Sequence, residues 1–269
     1  AMKSHTQGSE NTGTLFQNMS GMGGTFGLAN VENGNSVPLT VPLQFWFNRN
    51  PGLALPLIAL QYHEVKVVTQ FLGAGTAGGV VISATGISLW VDYIYLDTDE
   101  RRRFAQQSHE YLIEQVQYES HTNVNTKELN FNHPIKELIW AGPGGTTTND
   151  ASSRTTPVGL NGATYQIKLN GHDRMTARPL TYFTRTQVWQ HHSGPGGMTP
   201  TATTNTLADS IAVYSFALKP EEHQPSGTCN FSRIDTAQLV STGTPNPLDV
   251  YAVNYNVLRI MSGMGGLAY

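Results

Sequence analysis

Apolar and polar positions alternate with a period of two over most of the chain, the pattern of strands with one face buried. In QYHEVKVVTQF (61–71), Tyr62, Glu64, Lys66 and Val68 fall on one face and His63, Val65 and Val67 on the other. PLTVPLQFWF (38–47) and VVISATGISLWVDYIYL (80–96) are rich in β-branched and aromatic residues and read as further strands. The prolines of the first place it at a sheet edge. Between these strands, Asn50-Pro51-Gly52 is a turn signal, followed by the apolar run Leu53 to Leu60, and GAGTAGG (73–79) is a glycine-rich turn.

The period changes at Asp97. DTDERRRFAQQSHE has helix formers, acidic residues at its start and an Asp97-to-Glu100 capping-box spacing, so a short helix is expected over 98–109. Strands then resume at 110–119, 129–142, 164–171, 180–189, 211–219, 228–240 and 249–261, separated by turn-rich stretches such as AGPGGTTTNDASS and HHSGPGGMTPTATTN. Seven strands at this spacing predict a β-sandwich or jelly roll after residue 110.

VDYIYL (91–96) is echoed by VNYNVL (253–258), and each hexamer closes its own β segment. With the helix between the segments, the echo predicts two copies of one sandwich. Copies of equal length would start the first about 65 positions before Ala1, so the chain is expected to begin inside its first sandwich.

Composition narrows the function classes. Only 13% of residues are charged and 27 are glycine, which favours a turn-rich all-β chain. A net charge of −3 provides no basic field for a phosphate backbone, so direct genome binding is not expected. The single cysteine, Cys229, excludes an intrachain disulfide and fits a reducing compartment. The longest apolar run is eight residues and contains Pro56, far short of a bilayer span. Residues 1–14 show no apolar core of a signal peptide.

Candidate chemistry dissolves on inspection. His63-Glu64 lacks the second histidine that a helical zinc motif needs four residues on, and it lies in a strand pattern. His191-His192, read as strand, would point to opposite faces and could not share an ion. Gly73-Ala-Gly75-Thr-Ala-Gly78 matches a dinucleotide fingerprint in letters only, because a strand follows it rather than a helix. Arg101, Arg102 and Arg103 would fan around more than half a helix and form no flat patch. Cys229 is expected to be buried as a small hydrophobe. Asn18-Met-Ser20 and Asn230-Phe-Ser232 are glycosylation sequons that a cytosolic protein would not use by the ordinary route. No catalytic, cofactor-binding or metal-ligating residue is assigned, no cofactor is expected, and the chain is not expected to be an enzyme.

Five long stretches carry a resemblance: FWFNRNPGLALPLIALQYHEVKV (45–67), LWVDYIYLDTDERRRFAQQSHEYLIEQVQ (89–117), FNHPIKELIWAG (131–142), VYSFALKPEEHQPSGTCNFSRID (213–235) and VYAVNYNVLRIMSGMGGLAY (250–269). In these the chain resembles the major capsid protein of nucleocytoplasmic large DNA viruses. The resemblance implies an all-β double jelly roll, two tandem eight-stranded sandwiches of which this chain holds the first only in part. It divides the chain into residues 1–97, the C-terminal part of the first jelly roll, 98–109, a helical linker, and 110–269, the second jelly roll. It also implies a homotrimeric capsomer of near-hexagonal outline that tiles an icosahedral shell in the virion, assembled in host cytoplasm. Its partners would be copies of itself, neighbouring capsomers and minor capsid proteins, with an internal membrane nearby but no insertion into it. Loops 142–163 and 191–209 would vary for outer decoration or contacts between capsomers. Two other classes fit a β-sandwich: a lectin-like binding module, with exposed aromatics in a cleft, and a cupin-type metal enzyme, with bound metal.

Overall fold

The computed structural model describes residues 40–69, 87–122, 124–142, 163–193, 211–243 and 247–268. The expected glycine-rich turn at 73–79 and most of the two long loops lie outside these residues. In chain order the strands are β1 (His109–His121), β2 (Thr126–Glu128), β3 (Pro134–Ala141), β4 (Thr164–Leu169), β5 (His172–Asp173), β6 (Arg178–Pro179), β7 (Ile211–Ser215), β8 (Cys229–Asn230), β9 (Ala237–Ser241), β10 (Leu248–Met261) and β11 (Met264–Leu267). The α-helices are α1 (Thr98–Gln106) and α2 (Gln187–His191). The chain divides into two compact units, Ala1–Pro42 with Val116–Asn254, and Leu43–Gln115 with Tyr255–Tyr269.

The first unit is a β-sandwich. One sheet runs β1-β10-β3-β7 with β8 added to β3; the other runs β2-β9-β4-β5 with β6 added to β4. The period-two pattern accounts for the core. Val250, Trp140 and Ala212 stand opposite one another across β10, β3 and β7, and Ala252, Leu138 and Tyr214 form the next row, all buried. The facing sheet supplies Tyr165, Ile167, Ala237 and Leu239 to the same core. Trp140 lies 5.7 Å from the Tyr165 ring and 5.0 Å from that of Phe183, joining the sheets through three aromatics. Burying each such ring removes 150 Å² or more of surface from water, on the order of several kcal/mol per side chain.

Phe183 comes from a segment that the sequence pattern places in a strand. Residues 180–189 are helical instead: a π-helical turn, Tyr182–Thr186, leads directly into α2. Leu180, Phe183, Thr184 and Gln187 are the buried residues. Their spacing of three, four and seven is the helical period, disguised by two polar members and by β-favouring neighbours. The helix also closes a sheet edge: the Ser215 amide of β7 donates to Gln187 Oε1 at 3.2 Å, and Gln187 Nε2 donates to the Tyr182 hydroxyl at 2.9 Å.

Side chains of β1 hold the segment between β2 and β3. Gln117 of β1 donates through Nε2 to the Asn132 carbonyl at 2.6 Å and accepts the Asn132 amide through Oε1 at 3.0 Å. Both Glu119 oxygens accept from the Asn130 amide, at 3.2 and 3.1 Å. One carboxamide and one carboxylate thus satisfy backbone amides that carry no ladder bond. Residues 129–133, expected as strand, are irregular, because His133 sits at φ 68° and β3 begins only at Pro134. The expected strand 228–240 is likewise broken by a 3-10 turn, Phe231–Arg233, which Asn230 caps by accepting the Ser232 amide at 3.1 Å. Asn170 and Gly171, at φ 51° and 77°, make the two-residue turn between β4 and β5.

In the second unit, Asn50-Pro51-Gly52 forms the expected turn: Asn50 Oδ1 accepts the Gly52 amide at 2.9 Å and a 3-10 turn follows over Pro51–Leu53. Asp97 caps α1 by accepting the Thr98 amide at 2.7 Å, and Asp99 and Glu100 complement the helix dipole. The helix ends at Gln106 rather than 109 because β1 starts at His109. The expected strands 38–47, 61–71 and 80–96 differ from what is found. Among their described residues, Trp46–Asn48 is a 3-10 turn, and residues 63–69 and 87–97 show no regular secondary structure. Alternation sets an extended backbone; a strand also requires a neighbour to bond to. Strands β10 and β11 form a hairpin through Ser262 and Gly263, at φ 52° and 80°, and the Tyr62 amide donates to the Gly263 carbonyl at 2.9 Å.

Two substitutions test this packing. Phe183→Ala is expected to destabilise the protein by about 3–5 kcal/mol in urea unfolding, since it empties the three-ring junction. At Gly227, φ is 146° and an added Cβ would lie 2.9 Å from the Phe216 carbonyl oxygen. Gly227→Ala is therefore expected to cost about 1–3 kcal/mol in the same measurement.

Candidate functional site

The residues that looked chemical in the sequence are dispersed. His63 and Glu64 are exposed on the extended segment, and Glu64 pairs with Lys66 at 2.9 Å. Arg101, Arg102 and Arg103 are all exposed on α1. Cys229 is half-buried in β8, where burial pushes its thiol above the ordinary range. The Gly73–Gly78 match and the Asn18 sequon lie outside the described residues. At the second sequon, the Asn230 side chain caps its own turn and Ser232 Oγ accepts the His133 amide at 2.8 Å, so both polar groups serve the fold. Among the described residues, no group of three His, Cys, Asp or Glu side chains is placed to hold a metal ion. No helix among them is long and apolar enough to cross a membrane.

His191 and His192 depart from the sequence reading. They end α2 rather than lying in a strand. His191 Nδ1 lies 3.0 Å from the Leu218 carbonyl oxygen. His192 is held between two carboxylates, with Nε2 3.4 Å from Glu137 of β3 and Nδ1 3.4 Å from Glu221. Burial works against the Glu221 charge, but bonds from the Ser193 hydroxyl and amide, with His192 alongside, hold its carboxyl below the usual carboxylate range. Sequence spacing gives no sign of this cluster, since residues 137, 192 and 221 meet only through the fold.

Two buried lysines also escaped the sequence reading. Lys136 Nζ donates to the Pro220 carbonyl at 2.7 Å, tying β3 to the following turn. Lys127 of β2, 1% exposed, donates to the Val124 carbonyl and faces Ser241 Oγ at 3.5 Å; burial holds its ammonium below the ordinary lysine range. Nearby, burial lowers the His121 pKa; Glu119 raises it in part, Lys127 lowers it further and Asp249 opposes.

The described surface also carries large apolar side chains. Val116 and Tyr118 of β1 are 64% and 54% exposed, and Tyr118 packs on Tyr251 of β10 with ring centroids 5.0 Å apart. Trp189 on α2 and Leu218 are exposed to 83% and 71%.

The described residues define an all-β sandwich with large apolar side chains at several outer positions. The family described as large eukaryotic DNA virus major capsid protein matches residues 100–266, and its companion, the major capsid protein N-terminus, matches residues 14–97. The chain belongs to this family of major capsid proteins. The major capsid protein of Pyramimonas orientalis virus is 52% identical over 257 residues, covering 87% of this chain and 62% of the relative. That of Paramecium bursaria Chlorella virus 1 is 43% identical over 298 residues, covering 85% of this chain and 66% of the relative. The chain thus spans roughly two thirds of the length of these relatives. Among solved structures, the VP54 protein of the same chlorella virus, fitted into a reconstruction of the virophage Sputnik, matches with a TM-score of 0.65 and 38% identity. That match covers 86% of this chain and 70% of VP54. A quasi-atomic description of the same virus's capsid matches with a TM-score of 0.64 and 37% identity, over the same shares. The fold class is all-β, of the double-jelly-roll kind.

His121 gives the site its acid-side test. Its folded pKa lies below the unfolded value, so unfolding takes up a proton. The stability it contributes is present above the unfolded pKa, near 6.5, and is lost as pH falls through the folded value. Thermal melts from pH 7.5 to 5 are expected to show a smaller acid-side loss in His121→Gln than in the parent.

Proposed function

We propose that the protein is a building block of an icosahedral viral capsid, acting by shape and contact rather than by catalysis. The observation that carries this reading is the fold match to VP54 at 38% identity over 86% of the chain. Exposed Val116, Tyr118, Tyr251 and Trp189 on a rigid sandwich support it, because repeated symmetric contacts need apolar positions held in fixed geometry.

In this reading three copies form a capsomer of near-hexagonal outline, and capsomers meet one another and minor capsid proteins in the virion. The net charge of −3 favours a shell that does not hold nucleic acid directly. The internal membrane lies near the shell without being entered. Residues 1–97, 98–109 and 110–269 are the part of a first jelly roll, the linker and the second jelly roll; the separate family matches at 14–97 and 100–266 support that division. The stretches 142–163 and 191–209 are the candidates for outer decoration or capsomer contacts.

Electron microscopy of the purified protein tests the reading. Trimers of near-hexagonal outline are expected. A stable monomer that takes up a small ligand, or a metal found by elemental analysis, would overturn it.

A further inference from the structure

Asn170-Gly171, the pair at the tip of the β4–β5 turn, places two mutually reactive groups in adjacent residues. An asparagine side chain ends in an electrophilic carbonyl carbon, Cγ, and the next backbone nitrogen can reach it to close a five-membered ring. Glycine in second place leaves that nitrogen unshielded, because it has no Cβ. Both residues are exposed, and nothing lies within 4 Å of where a Cβ on Gly171 would stand, so the turn is open to water.

The fold holds the same pair at three points. The Asn170 amide donates to the Thr236 carbonyl at 2.7 Å. Its side-chain oxygen, Oδ1, accepts the Asp235 amide at 2.9 Å and the Thr236 amide at 3.2 Å. Asn170 is left-handed, at φ 51°, and Gly171 follows at φ 77°. A left-handed residue has ψ of about +47°, which puts the next nitrogen anti to Cβ across the Cα–C bond. Ring closure needs the reverse, with that nitrogen nearly eclipsing Cβ and so within bonding reach of Cγ. The two amides on Oδ1 keep Cγ turned to the 235–236 segment.

We propose that Asn170-Gly171 is a self-modification site held latent by the fold, and that opening of the turn releases it to a one-way loss of ammonia. Once ψ has turned, the Gly171 nitrogen gives its proton to water or hydroxide and attacks Cγ. The new N–Cγ bond forms, the Cγ–Nδ2 bond breaks, and the side-chain nitrogen takes up a proton and leaves as ammonia. The product is a succinimide, which water opens at one of its two carbonyls. Addition at Cγ gives aspartate; addition at the main-chain carbonyl gives isoaspartate, in which the main chain runs through the side-chain carbon. Aspartate still offers an oxygen to the two amides. Isoaspartate lengthens the main chain by a methylene, so Leu169 can no longer stand opposite His172 across the turn. The turn thus records its own opening in covalent form.

Peptide mass spectrometry of the full 269-residue chain tests it, with incubation at pH 8 in buffer and in urea sufficient to unfold it. Conversion at Asn170 is expected to run about tenfold or more slower in the folded chain, the ratio reporting how seldom the turn opens. Isoaspartate, resolved from aspartate by chromatography, is expected among the products. Thr236→Pro removes one of the two amides on Oδ1 and leaves the reacting pair intact, so the difference between buffer and urea is expected to shrink several-fold. Asp235→Pro removes the other amide and serves if Thr236→Pro does not fold. Equal rates with and without urea in the parent would overturn the proposal whatever the variants do. So would aspartate as the sole product, the mark of direct attack by water, or an undiminished difference in a proline variant that still melts cooperatively.

Discussion

Two antiparallel sheets can bury their inner faces only if something fills the gap between them and something closes their ends, and here one short helical segment does both. Phe183 inserts its ring against Trp140 of one sheet and Tyr165 of the other. Four residues later, Gln187 occupies the free amide of β7. The spacing of a helix makes this double use possible, since residues 183 and 187 share a face. Interior packing and edge protection are in this way one arrangement, and loss of the ring at 183 disturbs both.

Backbone conformation at a few points sets the rest of the frame. His133 at φ 68° turns the chain into β3, and Asn170 with Gly171 returns it from β4. Lys136 then reaches from the middle of β3 to a carbonyl of the turn beyond β7. A buried ammonium is costly to desolvate, and bonding it to a carbonyl offsets that cost while fixing the turn in place. The same turn brings Glu221 to His192. The polar interior therefore positions connections, while the apolar interior holds the sheets.

The sequence made some of this legible and hid the rest for physical reasons. The start of α1 was readable because Asp97 and the acidic first turn are local signals acting on adjacent amides. Strands β4 and β9 are legible because their alternation matches one-sided burial, whereas β3, β7 and β10, with runs of consecutive buried residues, are legible from their β-branched and aromatic composition. The 180–189 segment was misread because Thr184 and Gln187 are polar residues at buried positions, which breaks the apolar period that betrays a helix. Residues 63–69 and 87–97 have a strand's alternation without regular secondary structure, since pairing depends on a second segment that local pattern does not contain. The family could be read from long ordered stretches, whereas the His192 cluster could not, because residues 137, 192 and 221 are brought together by topology alone.

Side chains of β1 hold backbone that lies outside the sheet. Gln117 gives and takes a pair of bonds with the Asn132 backbone, and Glu119 accepts from the Asn130 amide, so two side chains of β1 hold the segment that leads into β3. The entry into β3 is thereby fixed from two sides, by its own backbone turn at His133 and by side chains of a distant strand.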